Sequence, residues 1–193
     1  MPLPDPNVGT VSSPAGTILH RDATNADVPD VVALVESAYR GDLSRIGWTT
    51  EADLLDGQRT DAEAVAEILG DPKSRLLLAV GPNDAIVGCC HLRRTNATTS
   101  YFGSFAVRPG LQGAGTGSAL LRAVERCAVD WGSPQMEMTG IAQRADRIAW
   151  YERRGYARTG ETRPFPYGDD RFGRPRRNDL VFIVLRKDLA PAG

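Results

Sequence analysis

The chain has 193 residues, 41% of them hydrophobic, and a formal net charge of −1 at pH 7. This length and apolar content suffice to bury one core, which excludes a fully disordered chain and predicts a single globular domain. The near-neutral charge argues against nucleic acid as the main partner, since duplex binding usually needs a strongly basic face. No secretory leader is recognisable and no apolar run approaches the roughly 20 residues that span a bilayer, so we expect a cytoplasmic protein without a membrane partner.

The two ends of the chain differ in composition from its middle. Residues 1–16 carry four prolines and small polar residues without hydrophobic periodicity, which predicts a flexible N-terminal tail. We expect one domain over residues 17–189 and a short C-terminal tail over residues 190–193. The three cysteines lack zinc-type spacing and the chain has two histidines, so no metal site is predicted.

Hydrophobic periodicity and turn residues predict alternating strands and helices along the domain. In chain order they are strand 17–21, helix 27–40, helix 60–69, strand 74–80, strand 86–94, strand 100–107, helix 116–131, strand 135–142, helix 144–154, strand 157–162 and strand 179–185. Thr60 and Glu63 have the spacing of a capping box, which predicts a helix start there. The first strands suggest antiparallel pairing, whereas the strands on either side of helix 116–131 predict a parallel crossover. The fold class is therefore α/β, with a mixed sheet flanked by helices.

The most informative stretch joins an apolar strand, a glycine-rich turn and a helix start between Phe105 and Leu121. Gly113, Gly115 and Gly117 lack the side chains that would block close approach. Successive backbone N–H groups can therefore turn toward a phosphate at the positive end of the following helix. The alternative is a strand-to-helix turn that binds nothing.

Two other glycine motifs compete for this stretch. A P-loop is excluded because no Gly-Lys-Ser/Thr closes the turn. A dinucleotide-binding fingerprint fits poorly, since its third glycine would fall at Ser118 and four residues separate Val107 from Gln112. Glu137 nevertheless lies at a distance that this fingerprint would require.

The spacing Gln-x-x-Gly-x-Gly at 112–117, after a strand that ends at Val107, resembles the acyl-coenzyme A signature of the GCN5-related N-acetyltransferases (GNAT). A second motif, Tyr-x-x-x-Gly-Tyr at 151–156, is similar to the helix-ending motif of that family. At the start of this second helix the family often has an asparagine that contacts the coenzyme. This chain has Arg144 there, which puts that contact in doubt.

The resemblance implies a GNAT-like fold, with a mostly antiparallel sheet and a splayed parallel pair at the acyl-coenzyme A site. It also implies acetyl transfer from acetyl-CoA to a primary amine by direct attack, without a metal. A backbone N–H near Phe105 or Ala106 would polarise the thioester carbonyl. The implied coenzyme-binding residues are Phe105, Ala106, Val107, Gln112, Gly113, Ala114, Gly115, Thr116, Gly117 and Ser118.

Two residues are candidates for proton transfer. The resemblance implies that Tyr151 meets the departing thiolate, and the alternative is an aromatic residue of the core. Many relatives have a carboxylate on the strand before the glycine turn, but residues 101–107 contain none. Glu137 is the predicted substitute as general base, ahead of His91 and Tyr101. Its alternative role is an exposed or salt-bridged strand carboxylate.

The acceptor amine is expected to bind between the first helix and the hairpin. Trp48 would offer an aromatic wall there and Glu51 a negative charge that suits a cationic amine, although acidic residues in this segment could equally cap helices. Residues 163–178 combine arginines with aromatic residues, a composition suited to a homodimer interface or a lid. A non-catalytic acyl-CoA-binding module of the same fold is the alternative function.

Overall fold

The structure, a computed structural model, describes residues 8–13 and 16–189. Its regular elements are β1 (Val8–Ser13), β2 (Gly16–Asp22), α1 (Val28–Tyr39), α2 (Gly41–Ser44), β3 (Leu55–Asp56), α3 (Ala62–Gly70), β4 (Ser74–Val80), β5 (Ile86–Arg94), β6 (Thr99–Val107), α4 (Thr116–Asp130), β7 (Gln135–Ile141), α5 (Ala145–Glu152), β8 (Ala157–Pro164), β9 (Arg174–Pro175) and β10 (Val181–Asp188). In this part of the chain no helix is both long and apolar enough to cross a membrane.

An eight-stranded sheet runs in the order β1-β2-β4-β5-β6-β7-β10-β8. β6 and β7 pair in parallel, and the other neighbours that the structure describes pair antiparallel. The predicted fold class is confirmed. β3 and β9 form a separate two-stranded ladder that joins the segment before α3 to the loop between β8 and β10.

Both faces of the sheet are covered by helices. Successive side chains of β4 alternate between the faces, so Leu77 packs with α4 and α5 while Leu76 and Leu78 pack with α1 and α3. The apolar stripe of α1, which includes Val31 and Val35, recurs at helical spacing and is buried on the second face. Full burial of each such side chain contributes roughly 1.5–3 kcal/mol to the free energy of unfolding.

Two predictions from the sequence need correction. The predicted N-terminal tail is wrong for Val8–Ser13, which form the edge strand β1 on β2. Edge pairing uses backbone hydrogen bonds, so apolar periodicity is not needed to form it. Residues 1–7, 14–15 and the predicted tail at 190–193 lie outside the described residues. The cap of α3 is Asp61 rather than Thr60, because the Asp61 carboxylate accepts the Ala64 N–H at 2.8 Å.

Candidate active site

β6 and β7 separate after three paired residues. Their parallel register runs from Thr99 opposite Gln135 to Tyr101 opposite Glu137, and beyond that point the two strands are unpaired. β6 bulges in the same region, because Cys89 of β5 pairs with Ala106 while His91 pairs with Gly103. The extra residue bends β6 away from β7. Backbone groups at this splay are thus left without the ladder partners that a continuous sheet would supply.

Ser104 lies within the bulge and has a left-handed backbone, with φ at +46°. For a residue with a side chain this conformation costs roughly 1–2 kcal/mol, and such strain concentrates at functional sites. The bulge is further held by Tyr39, whose hydroxyl donates to the Phe105 carbonyl at 2.6 Å.

The glycine turn opens α4 with two left-handed residues, Gly113 at φ +87° and Gly115 at φ +90°. A Cβ at either position would meet no atom within 4 Å, so the space beside the turn is open. The hydroxyl of Thr116 is buried and has no hydrogen-bond partner among the described residues. Free helix-start N–H groups and the positive end of α4 fit a phosphate group here.

A narrow groove of about 40 Å³ extends from this turn. Phe105 and Val107 line it from β6, Gly117 from α4 and Trp150 from α5. A Cβ on Gly117 would lie 3.6–3.8 Å from the Val107, Phe105 and Trp150 side chains, so alanine would fit but a longer side chain would fill the groove. The glycine at this position therefore keeps the groove open.

Arg154 supplies a positive charge beside the turn. It donates to the Ser118 hydroxyl at 2.8 Å, and its guanidinium lies 3.5 Å from the centre of the Trp150 ring. Ser118, predicted to bind the coenzyme, is thus held by a residue that the sequence analysis did not identify. The cation strengthens the fit of this end of α4 to an anion.

The side chain of Gln112 points away from the open turn and toward the segment before β3. Its amide oxygen accepts the Trp48 N–H at 2.9 Å, and its amide nitrogen donates to the Thr49 hydroxyl and the Val107 carbonyl, both at 2.9 Å. A Cβ on Gly47 would lie 2.6 Å from that oxygen, which explains the glycine. Gln112 therefore positions the turn through its side chain.

Arg144 holds the same segment from α5. Its guanidinium donates to the carbonyls of Trp48 and Thr50 and forms an ion pair with Asp146 at 2.8 Å. We define residues 47–51 as the bridging segment, because Gln112 attaches it to the glycine turn and Arg144 attaches it to the start of α5. The arginine that replaces the family's asparagine thus binds protein carbonyls in this structure.

Trp48 does not lie where the sequence predicted. Its ring packs 5.6 Å from that of Trp150 and lines the groove beside Gly117. This position does not favour the predicted aromatic wall for the acceptor, since the ring lines the groove at the glycine turn and not the cavity at the splay. The cause is the pair of tethers to Gln112 and Arg144, which turn the segment toward α4.

A second cavity of about 180 Å³ lies at the splay. Phe105 lines both this cavity and the groove, so β6 borders both spaces. Polar and charged side chains around the cavity are those of Tyr39, Glu51, Arg59, Tyr101, Ser104, Thr139, Arg147 and Tyr151. We call this space the acceptor cavity.

Glu51 lines the acceptor cavity, but its charge is shared. The carboxylate is 6% exposed and pairs with Arg40 and Arg147, each at 2.9 Å. Burial opposes its ionisation, yet Arg147, Arg59 and Arg40 outweigh burial and hold the pKa of Glu51 below its usual value. This arrangement does not favour the predicted pairing of Glu51 with a cationic amine.

Arg147 connects this ion pair to two tyrosines. Its guanidinium donates to the Tyr39 hydroxyl at 3.3 Å and lies 5.1 Å from the centre of that ring. Burial raises the pKa of Tyr151, and the neighbouring Arg147 acts in the opposite direction. Arg147 is thus a buried cation that contacts Glu51 and faces the hydroxyl groups of the cavity.

The position of Tyr151 is compatible with both roles that the sequence left open. Its ring packs against Phe102 and Phe105 at 5.7 and 6.3 Å, and the residue is 3% exposed. It also lines the acceptor cavity beside Arg147. The ring belongs to the core, and the residue nevertheless reaches the splay.

The candidate bases differ in whether they reach the cavity. Glu137 lies outside its lining and pairs with Arg163 and Arg186 at 2.8 Å each. Burial opposes its ionisation, but these arginines lower its pKa, so its carboxylate is a weak proton acceptor. The structure favours the salt-bridged alternative over the predicted general base.

His91 also lies outside the lining of the acceptor cavity. Its Nε2 lies 3.0 Å from the Ser74 hydroxyl, and burial lowers its pKa to about 4. Tyr101 does line the cavity, where its hydroxyl lies 3.0 Å from that of Thr139. Of Glu137, His91 and Tyr101, Tyr101 is the one that lines the acceptor cavity.

Sequence reasoning missed Tyr39, Arg40, Arg59 and Arg147. A signal existed for Arg147, which precedes Tyr151 by four residues and therefore shares its helical face. No local signal marks Tyr39 and Arg40, since their roles depend on contacts with Phe105 and Glu51. Among residues 8–13 and 16–189, no cluster of three or more His, Cys, Asp or Glu side chains is arranged to hold a metal ion.

A family model described as an acetyltransferase (GNAT) domain matches residues 72–158. An uncharacterized N-acetyltransferase of Mycobacterium tuberculosis (strain ATCC 25618 / H37Rv) is 31% identical over 136 residues, which cover 68% of this chain and 80% of the relative. A ribosomal-protein-alanine N-acetyltransferase from Brucella melitensis has a TM-score of 0.64 at 20% identity, with 89% of this chain and 99% of that chain covered.

A GNAT family acetyltransferase from Elizabethkingia anophelis, solved with acetyl-CoA bound, has a TM-score of 0.53 at 21% identity. The similarity covers 66% of this chain and 82% of that chain. At these identities the solved structures show a shared fold. Together with the mycobacterial relative and the matching family model, the two motifs and the splayed sheet establish that the chain belongs to the GNAT family of N-acetyltransferases.

Proposed function

We propose that this protein transfers an acetyl group from acetyl-CoA to a primary amine by direct attack. The observation that carries the proposal is that Phe105 lines both the groove at the glycine turn and the acceptor cavity. A thioester that enters along the groove would present its carbonyl carbon at the splay. Six of the residues predicted to bind the coenzyme line the groove and support this proposal: Phe105, Val107, Gln112, Gly113, Gly117 and Ser118.

In the proposed reaction the amine nitrogen attacks the thioester carbonyl carbon, so a C–N bond forms and the C–S bond breaks. An N–H of β6 near Phe105 or Ala106 would stabilise the negative oxygen of the tetrahedral intermediate. Tyr151 would donate a hydrogen bond to the leaving thiolate. Full proton transfer from tyrosine, with a pKa near ~10, to a thiolate of pKa ~8.5 is uphill by roughly 2 kcal/mol. Burial of Tyr151 adds to that cost, so we assign it hydrogen-bond stabilisation.

The amine must lose a proton as it attacks. A lysine-like amine with a pKa of ~10.4 is protonated at pH 7, which costs roughly 4–5 kcal/mol. Arg147 lines the acceptor cavity, and a like charge disfavours the ammonium form. We propose that the amine arrives neutral and passes its second proton to water near the Tyr101 and Thr139 hydroxyls, without a carboxylate base.

The proposal is tested by incubating the protein with acetyl-CoA and a panel of primary amines. We expect free thiol and N-acetylated amine, identified by mass spectrometry, to form in equal amounts. Thiol release without an acetylated amine would contradict transfer. Stabilisation by acetyl-CoA without turnover of any amine would support the alternative function, a non-catalytic acyl-CoA-binding module. The observation that favours this alternative is that Glu51 and Glu137 are both ion-paired.

A further inference from the structure

The acceptor cavity carries more positive than negative charge. Among the described residues that line it, Glu51 supplies the one carboxylate, while Arg59 and Arg147 supply two guanidinium groups. Glu51 is already paired with Arg147 and with Arg40 behind it. The single negative charge of Glu51 also interacts with Arg59, so one carboxylate faces three arginines and the cavity lining keeps an excess of positive charge.

Arg59 is half-buried and held in place. Its guanidinium lies 5.3 Å from the centre of the Tyr39 ring and makes neither an ion pair nor a side-chain hydrogen bond with the described residues. The backbone N–H groups of Arg59 and Thr60 both donate to one carboxylate oxygen of Glu36 on α1, at 2.6 and 2.8 Å. This anchoring reduces the entropy that a ligand would have to remove on binding.

Partly desolvated positive charge that the one carboxylate does not neutralise raises the free energy of the unliganded site. An anionic group on the ligand removes this penalty, because an arginine fork binds a carboxylate through two parallel hydrogen bonds. A ligand with several positive charges would be repelled, since Arg59 and Arg147 both line the cavity. The charge of the cavity thus selects against polyamines.

We infer that the acceptor is a small primary amine that also carries a carboxylate, as an amino acid does, and that Arg59 binds this carboxylate. The inference deepens the proposed function and rests on it. The cavity volume of about 180 Å³ suits such a ligand, being comparable to about six water molecules at about 30 Å³ each. Arg59 is then a specificity-determining residue, with the amine directed to the splay.

The test compares matched acceptors that differ at the carboxylate. The proteinogenic L-α-amino acids, their α-amides and the corresponding decarboxylated amines are assayed with acetyl-CoA. We expect kcat/KM for the preferred free acid to exceed that of its amide and amine at least tenfold. Arg59→Gln should raise KM for the acid at least tenfold while it leaves kcat/KM for the amide within about twofold, and Arg59→Lys should recover part of the loss.

Arg93→Gln is the matched control, because Arg93 is 54% exposed on β5 and pairs with Asp71 away from the cavity. It should behave as the unmodified protein, and the thermal midpoints should show that all variants fold. Equal or faster acetylation of the amides or amines overturns the inference while the proposed function stands. Equal losses for acid and amide in Arg59→Gln also overturn it, since they indicate a structural role. Coenzyme binding without acetylation of any amine overturns the inference and the proposed function together.

Discussion

Arg147 shows how a single side chain organises the site. It joins Glu51, Tyr39 and the surroundings of Tyr151 through contacts that are largely shielded from solvent. Removing one partner of a buried ion pair commonly costs 3–5 kcal/mol, because the remaining charge loses its counterion. Substitution of Arg147 would therefore mix loss of stability with loss of activity, so roles within the site are better tested at the tyrosines.

Tyr151→Phe should keep the packed ring and remove the hydroxyl. We expect kcat to fall by about ten- to a thousandfold, with the affinity for acetyl-CoA preserved, because a hydrogen bond to the leaving group is lost. Steady-state kinetics and equilibrium titration of the coenzyme measure the two effects. Tyr156→Phe is a matched control, since its ring packs in the same cluster while its hydroxyl donates to Glu125 at 2.9 Å. An unchanged kcat in Tyr151→Phe, with chemistry limiting the rate, would assign Tyr151 to the core alone.

Glu137→Gln tests the remaining carboxylate candidate. Because Glu137 is paired with Arg163 and Arg186, we expect kcat within about threefold of the unmodified enzyme and a rate profile parallel to it across pH. The free energy of unfolding should fall by about 1–3 kcal/mol, as a charged hydrogen-bond partner is lost. A rate deficit near neutrality that recovers at high pH would instead identify Glu137 as the base and contradict our interpretation of the ion pairs.

At the scale of elements, the three glycines of the turn before α4 have different structural roles. Gly113 and Gly115 provide left-handed backbone, whereas Gly117 is helical and provides space in the groove. Two glycines of the motif are thus required for their backbone conformation, and the third is required because a side chain would fill the groove. The two kinds respond differently to substitution, because a side chain at Gly117 need not strain the backbone.

Gly117→Glu should abolish the rise in Tm that acetyl-CoA produces, because its carboxylate would occupy the groove and repel phosphate. In the unmodified protein we expect acetyl-CoA to raise Tm far more than NAD or ATP does. Differential scanning fluorimetry measures both. Gly70→Glu adds the same charge at the end of α3, where a Cβ meets no atom within 4 Å, and should retain the response. A folded Gly117→Glu protein that acetyl-CoA still stabilises would exclude this coenzyme site.

At the scale of the whole molecule, side chains from both faces of the sheet reach the acceptor cavity at the splay. Tyr39 reaches the acceptor cavity from α1 on one face, and Tyr151 reaches it from α5 on the other. The remaining buried polar groups of the sheet serve stability. His91, on β5, is one of these polar groups, and its protonation should be measurable as a pH dependence of the free energy of unfolding.

Burial, with a contribution from Arg93, lowers the pKa of His91 to about 4, against an ordinary value near 6.5. Between these pH values the unfolded chain binds a proton that the folded chain does not, so the His91 contribution to stability is lost as pH falls from about 6.5 to about 4. In His91→Gln the free energy of unfolding should fall less steeply as pH decreases, and the slope should differ by up to about 1.4 kcal/mol per pH unit. Urea unfolding across this window measures the difference, and parallel curves for the two proteins would show that His91 titrates normally.

Local sequence features predicted much of the fold but less of the site. The apolar stripes, the glycine turn and the parallel crossover are encoded within short segments, and the structure confirms the strands and helices they predict. The position of Trp48 depends on Gln112, 64 residues away, and on Arg144, 96 residues away. The pairing of Glu137 likewise depends on β8 and β10. Such long-range contacts have no local pattern, so the acceptor cavity could not be predicted from spacing.

The bridging segment has a thermodynamic consequence. Trp48 lines the groove and Glu51 lines the acceptor cavity, while Gln112 and Arg144 restrain the residues between them. A molecule in either space would therefore contact the bridging segment, and this shared contact gives the two binding events a route to a coupling free energy. By reciprocity, the factor by which a bound thioester analogue changes the dissociation constant of the amine equals the factor by which the amine changes that of the analogue.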